Sequence, residues 1–140
     1  MICERKTVRI SFIGGGVMAE SLISGILKAR LAKPNDIRIG EPSKARSAHL
    51  KEKYKVGVSA NNLEILDGST IVILAVKPQI LSQVMNELGP RLNENQVVLS
   101  IIAGATLGTL MKGLEHSSII RVMPNTPAQI GQGITVWTSS

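Results

Sequence analysis

The chain has 140 residues, 44% of them hydrophobic and 19% charged, which suffices for one ordinary globular core and falls short of two full domains. A formal net charge of +6 invites something anionic, but Phe12, Tyr54 and Trp137 are the only aromatic residues, too few to stack bases, so nucleic acid is not an expected partner. Cys3 is the only cysteine, which excludes an internal disulfide and a cysteine metal site, and no apolar run approaches the roughly 20 residues that span a bilayer.

The first residues, Met-Ile-Cys-Glu-Arg-Lys, lack the apolar core of a signal peptide, so a cytoplasmic protein with no membrane partner is expected. Val8, Ile10, Phe12 and Ile13 read as a buried strand that runs straight into Gly14, Gly15 and Gly16. Gly14 and Gly16 take the first two places of a G-x-G-x-x-G/A pattern and Ala19 the third. In that pattern the first small residue permits the tight turn, the second lets backbone approach a pyrophosphate, and the third lets helix pack on strand. A glycine cluster can equally make an ordinary turn. The order decides between them here: Leu22, Ile23, Ile26, Leu27 and Leu31 recur at helical spacing directly after the glycines, and the start of that helix would aim its N–H groups at phosphates.

Pro34-Asn35-Asp36 predicts a turn, Asp36 to Gly40 a second strand, and Pro42-Ser43 the start of a helix with Ser43 as its N-cap. Nine basic residues against three acidic ones lie between Lys28 and Lys55; most of that charge reads as a solvated helix face. Val56 to Ser59 is a short third strand, and Asn61 or Asn62 caps a brief helical turn reaching Leu66. Thr70 to Val76 is an almost continuous apolar run, as a central strand covered on both faces requires. Ile80, Leu81, Val84, Met85 and Leu88 keep helical period until Gly89-Pro90 stops them. Gln96 to Ile102 is the next strand. Thr106 caps a helix with an inward stripe of Leu107, Leu110, Met111 and Leu114, and strands follow at Ser118 to Met123 and near Gly133 to Trp137.

Strands alternating with helices predict an α/β fold: a doubly wound, mostly parallel Rossmann-type sheet with helices on both faces. Ligands of such sheets lie beyond the carboxyl ends of the strands. That rule singles out Gly14 to Met18, Gly40 to Ser43, Asn61 and Asn62, Ala75 to Pro78, Ile102 to Gly104 and Met123 to Pro127. His49 and His116 sit in helix-like contexts and read as surface residues rather than catalysts.

Phe12-Ile-Gly-Gly-Gly-x-Met-Ala-Glu, Ala-Val-Lys-Pro-Gln at 75 to 79, Ser-Ile-x-Ala-Gly at 100 to 104 and Arg-Val-Met-Pro-Asn-Thr-Pro-Ala at 121 to 128 closely resemble the cofactor domain of pyrroline-5-carboxylate reductase. The last segment is the most specific, since the glycine motif alone fits many dehydrogenases. The resemblance implies reduction of the ring C=N of 1-pyrroline-5-carboxylate to proline with NADPH or NADH. It implies that Ile13, Gly14, Gly15, Gly16, Val17 and Met18 form the pyrophosphate loop and that Asn62 meets the adenosine ribose. Ala75, Val76, Lys77, Pro78 and Ala103 would flank the nicotinamide half, with Asn125 and Thr126 near the reacting end, ordering the cofactor. No residue is assigned as catalytic, because an imine that arrives protonated needs little acid from the protein.

For the cofactor itself, Glu41 at a strand end favours NAD by accepting from ribose hydroxyls, whereas Ser43, Lys44 and Arg46 at a helix start welcome the 2′-phosphate of NADP. Three donors against one carboxylate predict NADP, with NAD possible. Two departures from the family stand out. Val17 replaces the asparagine commonly found between loop and methionine, which removes a side-chain hydrogen bond. The second, all-helical domain that makes the homo-oligomer and much of the pocket for the small imine substrate has no counterpart here. Other readings are the cofactor domain of a β-hydroxyacid or deazaflavin-dependent oxidoreductase, and a stand-alone nucleotide-binding module without chemistry; the Met-Pro-Asn-Thr-Pro segment argues against the former and the length favours the latter.

Overall fold

In the computed structural model, residues 7–123 are described in full and residues 136–139 by their backbone. The first strand, β1 (Ile10–Ile13), is buried at all four positions, as a strand with cover on both faces must be. After the glycines come α1 (Val17–Lys28), β2 (Ile37–Gly40), α2 (Lys44–Tyr54), β3 (Gly57–Ser59) and α3 (Asn62–Leu66). The second half is β4 (Ile71–Leu74), α4 (Leu81–Leu88), β5 (Val97–Ser100), α5 (Leu107–Leu114), β6 (Ile119–Met123) and β7 (Val136–Ser139). Short 3-10 turns at Pro34–Asp36 and Pro78–Ile80 use proline at their first position, where its missing N–H costs nothing.

The strands form one sheet in the order β3-β2-β1-β4-β5-β6-β7. The first six pair in parallel and β7 lies antiparallel on β6. The chain therefore winds outward from β1 in one direction, returns, and winds outward from β4 in the other. Between β1 and β4 the direction reverses, with Ile13 in register with both Gly40 and Leu74. This is the switch point at which such sheets open a crevice.

Period-two alternation divides the core into two layers. Phe12, Ile37, Ile39 and Ile73 pack on one face with Ala19 and Ile23 of α1 and Leu50 of α2. Ile13, Val72, Leu74 and Val98 pack on the other with Leu81, Val84 and Leu88 of α4 and Leu110 and Leu114 of α5. Each fully buried aliphatic side chain contributes about 1.5–3 kcal/mol. Polar groups inside this core are paired: the Ser11 hydroxyl bonds the Ile65 carbonyl and Ser69, and Gln96 Nε2 donates to the Leu66 and Ser69 carbonyls at 3.0 and 3.1 Å. Ser43, Asn61 and Thr106 cap α2, α3 and α5 as the sequence predicts.

Five expectations need correction at their edges. Val8 precedes β1 and is exposed, and Leu31 lies beyond α1 at 70% exposure, because the chain leaves the helix at Ala29 and takes a left-handed turn at Arg30. Ile80 belongs to the 3-10 turn rather than to α4 and is exposed. Met111 sits at the rim of its helix rather than in the inward stripe. The final strand covers Val136–Ser139 and runs antiparallel, while residues 133–135 of the expected strand lie outside the described residues. Among the described residues, no helix is long and apolar enough to cross a membrane.

Candidate functional site

The carboxyl ends of β1, β2 and β4 meet at the switch point and are stapled there through the backbone. Gly14 N–H donates to the Gly40 carbonyl at 2.9 Å and Ala75 N–H to the Ile13 carbonyl at 2.8 Å, while on the outer side Glu41 N–H ties the end of β2 to β3 through the Ser59 carbonyl at 2.9 Å. Gly14 has φ +103°, and a Cβ there would stand 2.7 Å from the Ala75 carbonyl oxygen. No other residue type can make this turn with the two strand ends so close.

A cleft of about 410 Å³ opens over these ends. Its walls are Gly14 to Gly16, Gly40 to Pro42, Ala60 and Asn62 on one side, and Ala75 to Lys77, Ile80, Gln83, Val84 and Glu87 on the other. A Cβ built on Gly16 would meet nothing within 4 Å, so this part of the loop faces free space. Gly16 is also the N-cap of α1 and has no side chain with which to cap it, so the helix start is left to backbone groups and to whatever lies in front of them. An open glycine edge at a helix start, at a switch point, fits a diphosphate in shape and in charge.

Of the residues singled out in the sequence, Gly14, Gly15, Gly16, Asn62, Ala75, Val76 and Lys77 line this cleft together. Ile13 lies beneath it, fully buried in the core. Val17 is 63% exposed and, with Met18, Ser43, Lys44, Pro78 and Ala103, is not part of the wall. Asn125 and Thr126 lie outside the described residues. Asn62 is placed by its neighbour: the Asn61 side chain accepts from Leu63 N–H at 3.0 Å to cap α3, and Asn62 Nδ2 reaches Glu87 Oε2 at 3.4 Å across the cleft.

Arg46 differs from expectation. Its guanidinium faces α1 instead of standing free as a phosphate donor, giving Nε and Nη2 to the Gly15 carbonyl at 3.0 and 2.7 Å and Nη2 to Glu20 Oε2 at 2.8 Å. Glu20 gathers three more partners from α2: His49 at 3.0 Å, Lys53 at 3.4 Å and the Tyr54 hydroxyl at 2.9 Å. Partial burial disfavours the charged carboxyl, but hydrogen bonds with His49, Arg46, Tyr54 and Lys53 outweigh it and bring Glu20 from 4.5 down to about 2. His49 is thus a partner of Glu20, and His116 Nε2 lies 2.7 Å from the Gln96 carbonyl; neither lines the cleft.

The sequence reading missed Ala60 and the flank of α4. Ile80, Gln83, Val84 and Glu87 follow at helical spacing, so the turn before α4 and one side of the helix border the cleft. The signal is present, since this helix starts at the carboxyl end of the central strand, but helical period singles out only its apolar members.

The fold and the cleft define a Rossmann-type dinucleotide-binding domain. A family model described as NADP oxidoreductase coenzyme F420-dependent matches residues 9–104, and the chain belongs to that family. It is 41% identical over 129 residues to a pyrroline-5-carboxylate reductase of Synechocystis, a match covering 92% of this chain and 48% of that protein. The structure of a pyrroline-5-carboxylate reductase from Coxiella burnetii superposes with a TM-score of 0.90 at 34% identity, over 96% of this chain and 50% of that one. The Plasmodium falciparum pyrroline carboxylate reductase, solved with NADP bound, gives 0.81 at 30% identity over 95% and 48% of the two chains. The chain spans about half the length of the curated relatives it matches.

Proposed function

We propose that this chain is the cofactor-binding part of a pyrroline-5-carboxylate reductase, which uses NADPH in preference to NADH to reduce 1-pyrroline-5-carboxylate to proline. The observation that carries this reading is the open glycine edge at the start of α1, set in a cleft whose two walls come from the two halves of the sheet. The likeness to pyrroline-5-carboxylate reductases runs over 92% of the chain, well beyond residue 104, where the match to the F420-dependent family model ends. That difference favours the proline-forming reaction over the deazaflavin-dependent alternative.

Gly14, Gly15 and Gly16 would hold the diphosphate, Asn62 and Glu41 the adenosine ribose, and Ala75, Val76 and Lys77 the nicotinamide side. A nicotinamide cofactor supplies a hydride to the imine carbon. The chain's own contribution is orientation: Lys77, its backbone restricted by the proline that follows it, and the stapled strand ends present one rigid wall. The titratable groups lining the cleft are Glu41, Lys77 and Glu87, and none is needed as an acid if the imine nitrogen arrives protonated.

The complete protein, on this reading, has a second part that supplies the other wall of the substrate site and joins the subunits of a homo-oligomer in the cytoplasm. The length of the relatives supports it. So does an apolar hollow of about 390 Å³ on the sheet, bordered by Leu22, Ile26, Ile71, Ile73, Leu99 and Val122, a surface suited to cover by that second part.

A calorimetric titration of the chain with NADPH and NADH tests the proposal. Saturable binding of both, tighter for NADPH, is the expected outcome, and absence of saturation at millimolar cofactor would refute it. With cofactor bound, oxidation of NADPH by 1-pyrroline-5-carboxylate should be negligible for these 140 residues alone, because a substrate held by one wall forfeits several kcal/mol of orientation. Ordinary turnover would overturn the two-part reading and leave the cofactor site intact.

A further inference from the structure

We infer that Arg46 is a positioning residue for the glycine loop, holding the Gly15 carbonyl so that the next peptide N–H is presented to a nucleoside diphosphate, and that it is not a ligand of the 2′-phosphate. The inference rests on the dinucleotide-site reading above and adds a role on the side of the loop remote from the ligand.

Two nitrogens of one guanidinium, at 3.0 and 2.7 Å, converge on the Gly15 carbonyl oxygen. No peptide bond among the described residues is cis, so in the planar Gly15–Gly16 peptide the carbonyl and the N–H point in opposite directions. Fixing the carbonyl toward α2 therefore turns the Gly16 N–H away from α2. Gly16 lines the cleft and has free space around it. The same helix presses on Gly15 from below: a Cβ there would lie 2.7 Å from Leu50 Cδ1. An apolar contact and a charge-assisted hydrogen bond, both from α2, thus hold one loop residue.

Glu20 explains why Arg46 stays there. It takes Arg46 Nη2 at 2.8 Å and is itself held by His49, Lys53 and Tyr54, so the guanidinium is oriented by a carboxylate that is fixed in its own place. Nε and Nη2 are committed to these two acceptors, so Arg46 can offer a 2′-phosphate only Nη1 without giving one of them up. An exposed Lys44 lies nearer the helix start and carries no such obligation.

Two probes separate the roles. ADP carries the diphosphate and no 2′-phosphate; 2′-AMP carries the 2′-phosphate and no diphosphate. In Arg46→Ala, ADP affinity should fall about tenfold, the worth of a charge-assisted hydrogen bond, while 2′-AMP affinity stays within about twofold. NADPH and NADH should weaken by the same factor. Arg46→Lys, which can reach one acceptor but not both, should lie between wild type and alanine and serves if the alanine variant does not fold. Lys51→Ala, which removes a charge from the exposed face of the same helix and leaves Glu20 and its partners intact, should leave all four affinities unchanged. Loss of 2′-AMP binding with ADP intact would make Arg46 a phosphate ligand and overturn the inference, as would equal losses for both probes or no change in either. If the unaltered chain bound neither probe, the dinucleotide-site reading itself would fail, a result distinct from all of these.

Discussion

The two ends of the cleft are built differently. At the glycine-loop end backbone faces the cleft and charged side chains stand behind it: Glu20, Arg46, His49, Lys53 and Tyr54 form a network between α1 and α2 that meets the loop at the Gly15 carbonyl. At the opposite end the wall is short, apolar or proline-fixed, made by Ala75, Val76 and Lys77 and bordered by Ile80 and Val84. A diphosphate is the same in every dinucleotide, so its site can be rigid and pre-formed. On the proposed reading a nicotinamide ring would share its side with a substrate, and that side would be the one another part of the protein completes.

If this contrast is right, substitutions at adjacent glycines should separate folding from binding. The largest effect belongs to Gly14→Val, which forces a β-branched residue to φ +103° and drives a Cβ to 2.7 Å from the Ala75 carbonyl oxygen. Backbone cannot yield as a side-chain tip can. Strain and overlap together should remove about 3 kcal/mol or more, measured by urea unfolding. Unchanged stability would mean that the β1–β4 junction is not the rigid element described here.

Next comes acid. Glu20 ionises at about 2 in the folded chain against 4.5 when unperturbed, so its contribution to stability is complete above about pH 4.5 and is lost as pH falls toward 2. A shift of that size corresponds to about 3 kcal/mol at neutral pH, spread over Arg46, His49, Lys53 and Tyr54 and set against partial burial. Glu20→Gln should flatten the dependence of unfolding free energy on pH between 5 and 2, read from urea midpoints across that range. An unaltered slope would show that the carboxyl is not held by these four partners.

Much of this was legible in the sequence, and the failures have one physical cause. The strands and their carboxyl ends could be read because apolar runs, glycines and prolines are local signals, and the parallel winding follows from their order. Arg46 could not be placed because its acceptors, Gly15 and Glu20, are 31 and 26 residues away, and which face of α2 meets α1 depends on how the helices lie on the sheet. Periodicity alone likewise could not show that α1 ends before Leu31 or that Met111 reaches the rim, since helical spacing continues in the sequence after packing has stopped. Gln83 and Glu87 carry no such signal at all, since periodicity marks the apolar members of a helix and a polar residue bordering a cleft looks like any other.

Gly16→Leu should do the reverse of Gly14→Val. Its backbone, φ −76° and ψ −169°, suits any residue, and its Cβ enters open space, so stability should change by about 1 kcal/mol at most, the cost of a poorer N-cap. Binding of NADPH, NADH and ADP should nevertheless be abolished, because the added side chain fills the place of the diphosphate. Retained binding in a folded variant would move the phosphate site elsewhere.

The smallest effect concerns the 2′-phosphate. With Arg46 committed to Gly15 and Glu20, preference for NADPH falls to Ser43 and Lys44, both exposed at the start of α2, against Glu41 in the cleft wall. The Ser43 hydroxyl already accepts from Arg46 N–H at 3.4 Å while its own proton is free to turn outward, and Lys44 offers a mobile ammonium. An exposed charge of this kind is screened by salt, so its share of the selectivity should be modest and should shrink as ionic strength rises. Lys44→Ala is expected to reduce the ratio of NADPH to NADH affinity about threefold at low salt and by less at physiological salt. Glu41→Gln should shift the ratio the other way, by removing a carboxylate that welcomes ribose hydroxyls and repels a phosphate. A Lys44→Ala ratio equal to that of the unaltered chain at low salt would place the 2′-phosphate away from α2 and return the question of selectivity to the Asn62 side of the cleft.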